Sequence, residues 1–360
     1  MVAISQFYGN NPDFVLAGGG NTSWKDKHTL YVKGSGMALA QVCADSFVKM
    51  DRTVLSLIWE KQYPDSSAER ESAVFADIMK ALKNGEEGKR PSVETLLHDI
   101  LPFDFVVHLH PALVNGLTCS QQGESAMKCI FGNEALWIPS CNPGYILSKT
   151  VKTAMDACIT AHGKLPQIFF LQNHGVFVGD SSIEGIQKIY STIMEKIGAR
   201  IQRHPDFSDE KRTASLETAV TQTLRELAGG TAVLLQAAEI SKLVINRDSF
   251  APVSSVFSPD HMVHAGIAPL FIEALTKIKI RAAWDSHVQR TGMNPRIIAV
   301  KGLGVYGASA TEKSAGYALD LFRDVVKISV YSASFGGPLF MTQEKIDFIK
   351  NWEVDRYRSQ

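Results

Sequence analysis

The sequence predicts an α/β protein, and three observations carry that reading. Short apolar runs of strand length, closed by glycine or polar clusters, stand at 29–32, 105–109, 167–171 and 296–300. Between them run longer stretches whose apolar residues recur every three or four positions, at 68–84, 148–162 and 182–202. The bulk composition, 360 residues with 45% hydrophobic and 21% charged, is that of a globular chain with room for one large domain or two modest ones.

Charge and cysteine content narrow the function classes. Lys+Arg and Asp+Glu both number 37, so nothing calls for nucleic acid or an anionic membrane as partner. Five cysteines, an odd number with no Cys-x-x-Cys pair, argue against a disulfide framework and a structural zinc finger. They fit reduced thiols in a cytoplasmic protein. No apolar run approaches the ~18 residues of a membrane span. Residues 1–10 lack the basic-then-apolar layout of a signal peptide.

Residues 14–17 read as the first strand, running into Gly18-Gly19-Gly20-Asn21-Thr22-Ser23. The strand at 29–32 runs into Lys33-Gly34-Ser35-Gly36. Such loops are either plain turns or cradles for an anion, and two of them so close together favour the cradle. Residues 51–61 fit strand or helix. The helix at 68–84 stops at Asn84-Gly85, a C-cap signal. Pro91-Ser92 opens a helix over 93–100, with Ser92 as N-cap and Glu94 in its first turn. A first-turn glutamate commonly does no more than complement the helix dipole.

The strand at 105–109 runs into His108-Leu109-His110-Pro111. Residues i and i+2 of a strand share a face, so two imidazoles stand side by side. That pattern is either a pair of satisfied core or surface histidines or half of a metal site. A catalytic zinc needs a third protein ligand and an open position. His174, in Gln172-Asn173-His174-Gly175, is the candidate, and Glu94 supplies a carboxylate nearby in sequence. Pro111 starts a helix to 117, 136–139 is extended, and 167–171 is a strand that 175–178 continues.

A polar break at His204-Pro205-Asp206 opens a second part. Residues 213–236 read mostly as helix, broken at Gly229-Gly230, and 270–279 as another. Asp260, His261 and His264 fall on a loop-like stretch and read as structural or surface groups. Gly302-Leu303-Gly304-Val305-Tyr306-Gly307 follows a strand and precedes a helix to 326, which is the spacing of a dinucleotide fingerprint. The next strand, 327–331, ends without the acidic residue that the fingerprint requires, and too little chain follows for a doubly wound sheet. A strand–loop–helix unit packed on the first part is the expectation there.

Gly20-Asn21-Thr22-Ser23, Lys33-Gly34-Ser35-Gly36, Pro91-Ser92-Val93-Glu94, His108-Leu109-His110-Pro111 and Asn173-His174-Gly175 stand in the order and spacing of class II sugar-phosphate aldolases. Residues 12–203 resemble that family, which also holds the adducin head domain. The remainder, with Ser258-Pro259-Asp260-His261, resembles the aldolase part of bifunctional rhamnulose-1-phosphate aldolase/alcohol dehydrogenases. The chain ends at Gln360, so a dehydrogenase domain and its redox activity are not expected.

The resemblance implies a three-layer α/β/α sandwich around a largely antiparallel sheet over 1–203, with a C-terminal α/β extension at 204–360 packed on it. It implies zinc held by His108, His110 and His174, and Glu94 as acid/base. Asn21, Ser35, Gly36 and Ser92 would bind the substrate's phosphate. Val93 stands where relatives carry a second serine, and Lys33 is the expected replacement. The implied reaction is cleavage of a ketose 1-phosphate, with L-rhamnulose 1-phosphate first, by a homo-oligomer such as a tetramer. Epimerase or decarboxylase chemistry on another sugar phosphate, or an adducin-like binding module, are the alternatives.

Overall fold

A computed structural model describes residues 1–210 and 214–351. Its larger sheet is built from β1 (Asn21–Lys25), β2 (Thr29–Lys33), β3 (Phe47–Asp51), β4 (Phe105–Leu109), β5 (Ala135–Ile138), β6 (Ile168–Leu171) and β7 (Gly175–Asp180). The strand order is β3-β2-β1-β4-β7-β6-β5, and every neighbouring pair is antiparallel except β5 with β6. Alternation along the strands sends side chains to both faces. Val107, Leu109, Val176 and Val178 pack under Tyr8, Val114, Tyr190 and Ile193 on one side. Val106, Phe169 and Phe177 pack under Leu97, Leu147 and Val151 on the other. With helices on both faces, the fold is the expected three-layer sandwich around a largely antiparallel sheet.

A smaller sheet follows, made of β8 (Thr231–Leu235), β9 (Leu270–Ile272), β10 (Ile297–Val300) and β11 (Gly304–Ser309) in the order β8-β11-β10-β9. Val220, Leu224, Ile280 and Trp284, from the helices Ala214–Ala228 and Lys277–Thr291, cover one face. The helix Glu312–Ser332 covers the other with Ala318, Phe322 and Val326. The same helix also lies against Ala112–Thr118 of the first layer system, so one apolar cluster joins Ala112 and Cys119 to Phe257, Phe322 and Val326. Twelve of its 21 residues are buried, as befits a helix packed on more than one side.

Several expectations are corrected. Residues 14–17 form turns, with Ala17 at φ 49°, and the strand begins only at Asn21, so the glycine-rich stretch precedes β1. Residues 51–61 close β3 and continue as the short helix Arg52–Ser56, whose N-cap Asp51 accepts from Thr53 and Val54. The helix after Pro91 is Thr95–Ile100, with Glu94 as N-cap in place of Ser92. Residues 175–178 do not extend β6; they turn back as β7 at Asn173, which takes φ 59°. The 213–236 helix ends at Ala228 and β8 follows; Thr213 lies outside the described residues. Leu270–Ile272 is a strand, with the helix starting at Lys277. Residues 327–331 belong to the helix Glu312–Ser332, since burial overrides the β-branched composition. The 302–307 glycines make a β10–β11 hairpin, with Gly302 at φ 70° in its turn, and no phosphate loop. Among the described residues no helix is long and apolar enough to cross a membrane.

Candidate metal centre and active-site cleft

His108 is the fourth residue of β4, fully buried, with its ring stacked 3.9 Å from that of Phe177 on β7. Its Nδ1 lies 3.0 Å from Val176 O. A carbonyl only accepts, so Nδ1 carries the proton and Nε2 presents a lone pair. His110 sits just beyond β4, and its Nδ1 donates to Asp260 Oδ2 at 2.6 Å. Its Nε2 lies 2.8 Å from His108 Nε2. In a neutral His110 ring that nitrogen also presents a lone pair, and two lone pairs at that distance repel unless a cation, a proton or a metal ion, sits between them. His174 closes the β6–β7 turn, and the ligand atoms of the three residues all lie within 4.8 Å of one another. Burial pushes the His108 imidazole well below its ordinary pKa, which keeps it neutral and able to ligate.

Glu94 stands over this cluster. Its Oε1 is 3.5 Å from His108 Nε2 and 3.4 Å from His174 Nε2, yet it is buried and makes no hydrogen bond. Buried carboxylate oxygens without a partner are costly, so this one is waiting for a ligand. Its other oxygen, Oε2, accepts from Asn21 Nδ2 at 2.6 Å. Three converging imidazoles and an unsatisfied carboxylate oxygen form a donor set that fits a transition-metal ion.

Behind Asn21 lies a chain of contacts that sequence reasoning missed. His98, on the helix Thr95–Ile100, takes a hydrogen bond at Nδ1 from Ser23 Oγ at 2.7 Å and donates from Nε2 to Asn21 Oδ1. The Asn21 amide is thereby oriented with its NH2 toward Glu94. Burial lowers the His98 pKa to about 3, so the ring stays neutral. The available signal was the four-residue spacing of Glu94 and His98 at one helix start, which places both on one face.

Asn21, Lys33, Ser35, Gly36, Ser92, Glu94, His110 and His174 all line one cleft, with His108 buried beneath it. Their individual geometry refines the expected roles. Ser35 Oγ is buried without a hydrogen-bond partner, a donor ready for an anion. Asn21 and Ser92 are engaged locally: Ser92 Oγ accepts from Asn21 Nδ2 and from Glu94 N, each at 3.2 Å. Lys33 also lines the cleft. Its Nζ donates to Met37 O at 2.6 Å and Gly34 O at 3.2 Å, which staples the 33–37 loop. Val93 is buried and packs against Phe348 of the C-terminal helix.

The far wall of the cleft comes from the second part of the chain, through Asp260, Val263, His264, Lys313 and Tyr317. The stretch read as loop-like is the helix Pro259–Ala265, and its second residue, Asp260, touches His110. His261 is buried against Asp324 at 3.1 Å and is structural, as expected. A larger, more apolar hollow of about 760 Å³ opens near Trp24, Tyr31, Phe47 and Phe105. Its charged side chains pair with one another, Lys89 with Asp45 and Glu86, and Lys49 with Glu86.

A three-layer α/β/α fold with a histidine–carboxylate cluster under glycine-rich loops suits chemistry on a small molecule. Residues 1–197 match the family model of the class II aldolase and adducin N-terminal domain. The chain belongs to that family. It is similar to the "Uncharacterized oxidoreductase YuxG" of Bacillus subtilis (strain 168), at 25% identity over 411 residues covering 99% of this chain; it spans 57% of that protein's length. Among solved structures it is similar to the N-terminal class II aldolase domain of a conserved protein from Thermoplasma acidophilum, with 24% identity and TM-score 0.46 over 55% of this chain and 90% of that one. It is also similar to L-fuculose-1-phosphate aldolase from Thermus thermophilus, with 14% identity and TM-score 0.34 over 55% of this chain and 89% of that one.

Proposed function

We propose that this chain is a zinc-dependent aldolase. It reversibly cleaves a ketose 1-phosphate, L-rhamnulose 1-phosphate, to dihydroxyacetone phosphate and L-lactaldehyde. The observation that carries the reading is the buried, unbonded Glu94 Oε1 set 3.4–3.5 Å from two imidazole nitrogens. The sugar is chosen on the resemblance of residues 204–360 to the aldolase part of rhamnulose-phosphate enzymes. Residues 1–203 form the aldolase core in this proposal, 204–360 the extension that completes its cleft, and the working unit is a cytoplasmic homo-oligomer.

Breaking the bond between the α and β carbons of a β-hydroxy ketone turns the β-hydroxyl into an aldehyde as it gives up its proton, and leaves negative charge on the ketone half, which takes up a proton at its α carbon. His108, His110 and His174 would hold the zinc ion, which when bound supplies Lewis acidity toward substrate oxygens. Glu94 carries the proton at carbon through Oε1, while Asn21 fixes Oε2 and so the plane of the carboxylate. His98 in turn keeps the Asn21 amide from flipping. Ser35 and Gly36 take the phosphate, whose binding away from the reacting bond orients the substrate.

The test is a coupled assay for dihydroxyacetone phosphate release from L-rhamnulose 1-phosphate, with native, chelator-treated and zinc-restored protein. Release that disappears on chelation and returns with zinc supports the proposal. A zinc-loaded protein that releases nothing refutes this substrate and directs the search to other sugar phosphates and then to epimerase or decarboxylase chemistry.

A further inference from the structure

We infer that Asp260, from the part of the chain beyond the family match, is a positioning residue for the metal centre, and that the centre is incomplete without the helix Pro259–Ala265. The inference rests on the metal reading of the three histidines given above. Three independent features point to it.

The first is the contact itself. Asp260 Oδ2 lies 2.6 Å from His110 Nδ1, across 150 residues of sequence. A carboxylate on one imidazole nitrogen fixes the tautomer and ring plane and makes the other nitrogen a better donor toward a cation. His108 receives the same treatment from a main-chain carbonyl, Val176 O. Asp260 thus supplies to the second histidine what the sheet supplies to the first.

The second is the space made for it. A Cβ at Gly19 would come within 2.5 Å of Asp260 Oδ2. The glycine-rich loop before β1 leaves room there for the carboxylate of a distant helix. The third is the rigidity of its support. His261, the next residue, is buried between Ser258 Oγ at 3.2 Å and Asp324 Oδ2 at 3.1 Å. At the other end of the same helix, Arg296 donates to Val263 O at 2.9 Å and His264 O at 3.2 Å. A carboxylate on so short a helix would wander unless the helix were held at both ends, and here it is.

The experiment measures zinc affinity of the full chain by competition with a chromophoric chelator, for the natural protein and for Asp260→Ala, Asp260→Asn and Gly19→Ala. Denaturant unfolding of the metal-free proteins and the visible spectrum of their cobalt-loaded forms are read in parallel. Outer-sphere partners of metal-bound histidines are worth roughly 10–100-fold in metal affinity. Asp260→Ala should lose that much, with an altered cobalt spectrum and unchanged metal-free unfolding. Asp260→Asn, which keeps an acceptor oxygen but no charge, should fall between. Gly19→Ala, which displaces the carboxylate without removing it, should weaken zinc in the same direction. Zinc affinity within twofold of the natural protein for Asp260→Ala would overturn the inference, as would affinity losses that merely track lost stability of the metal-free protein in every variant. A natural protein that takes up no zinc at all would instead overturn the metal reading on which it rests.

Discussion

Replacing His98 by glutamine should change how the protein responds to acid more than how it behaves at neutral pH. The ring is wholly buried, and its pKa falls to about 3 from an ordinary 6.5. Between those two values the unfolded chain takes up a proton that the folded chain refuses. Stability therefore falls as pH falls from about 6.5 to about 3, and below that this residue contributes no further change. At 1.36 kcal/mol per pH unit the window is worth about 5 kcal/mol. Domains are held together by only about 5–15 kcal/mol, so this one ring can set the onset of acid unfolding. Glutamine does not titrate. Urea unfolding of both proteins, metal-free, at half-unit steps from pH 7.5 to 3.5 gives the difference in stability at each pH. The natural protein should lose its advantage steadily toward acid, by several kcal/mol in all. Curves that run parallel across that range would refute the argument that burial holds His98 neutral.

Other outcomes follow from named contacts. Glu94→Gln should retain zinc and lose cleavage by about 10²–10⁴-fold, the usual worth of a general acid–base group; turnover within tenfold of the natural protein would remove the glutamate from the proton step. Ser35→Ala removes a buried hydroxyl that bonds nothing in the protein, so stability should hold while inorganic phosphate binds more weakly by about 1.5–3 kcal/mol, roughly 10–150-fold. Equal phosphate affinity in calorimetry would rule Ser35 out as an anion donor. Gly116→Val would drive a side chain into Tyr331 Cβ, 2.4 Å from where its own Cβ must sit, and should cost about 1–3 kcal/mol by parting the helices Ala112–Thr118 and Glu312–Ser332. An unchanged denaturation midpoint would mean that these helices yield without penalty.

The parts of the fold legible in the sequence were those with a local signature. The apolar run at 105–109 and the two histidines behind it gave β4 and its shared face, and the helical spacing at 148–162 and 182–202 gave helices close to their observed ends. The errors have physical causes. Leu270–Ile272 and Thr231–Leu235 are short strands beside helical patterns, and a brief apolar stretch carries no period that separates strand from helix. Ile328 and Val330 look like a strand because β-branched residues favour one, yet they serve a helix enclosed by apolar neighbours. Glycines at 302, 304 and 307 have the spacing of a nucleotide loop, and a tight hairpin needs the same freedom. In the site, the motifs along the first two hundred residues converge on one cleft. The contacts of His98 and Asp260 at the site went unread because their partners lie 77 and 150 residues away, a relation that only the tertiary packing discloses.

The turn that carries His174 has a consequence for how this protein can vary. Asn173, at its apex, holds a left-handed backbone while its side chain donates to Leu339 O at 2.8 Å and its own N–H to Thr118 O at 3.1 Å. Leu339 N in turn bonds Cys119 O at 2.8 Å, and nearby Phe348 packs on Val93, the neighbour of Glu94. Residues 339–348 thus buttress the loop that carries His174 and the chain beside Glu94 from behind. A substitution in that distant stretch should therefore be felt as a change at His174. A graft of residues 1–203 onto another scaffold would carry the ligands but leave their bracing behind.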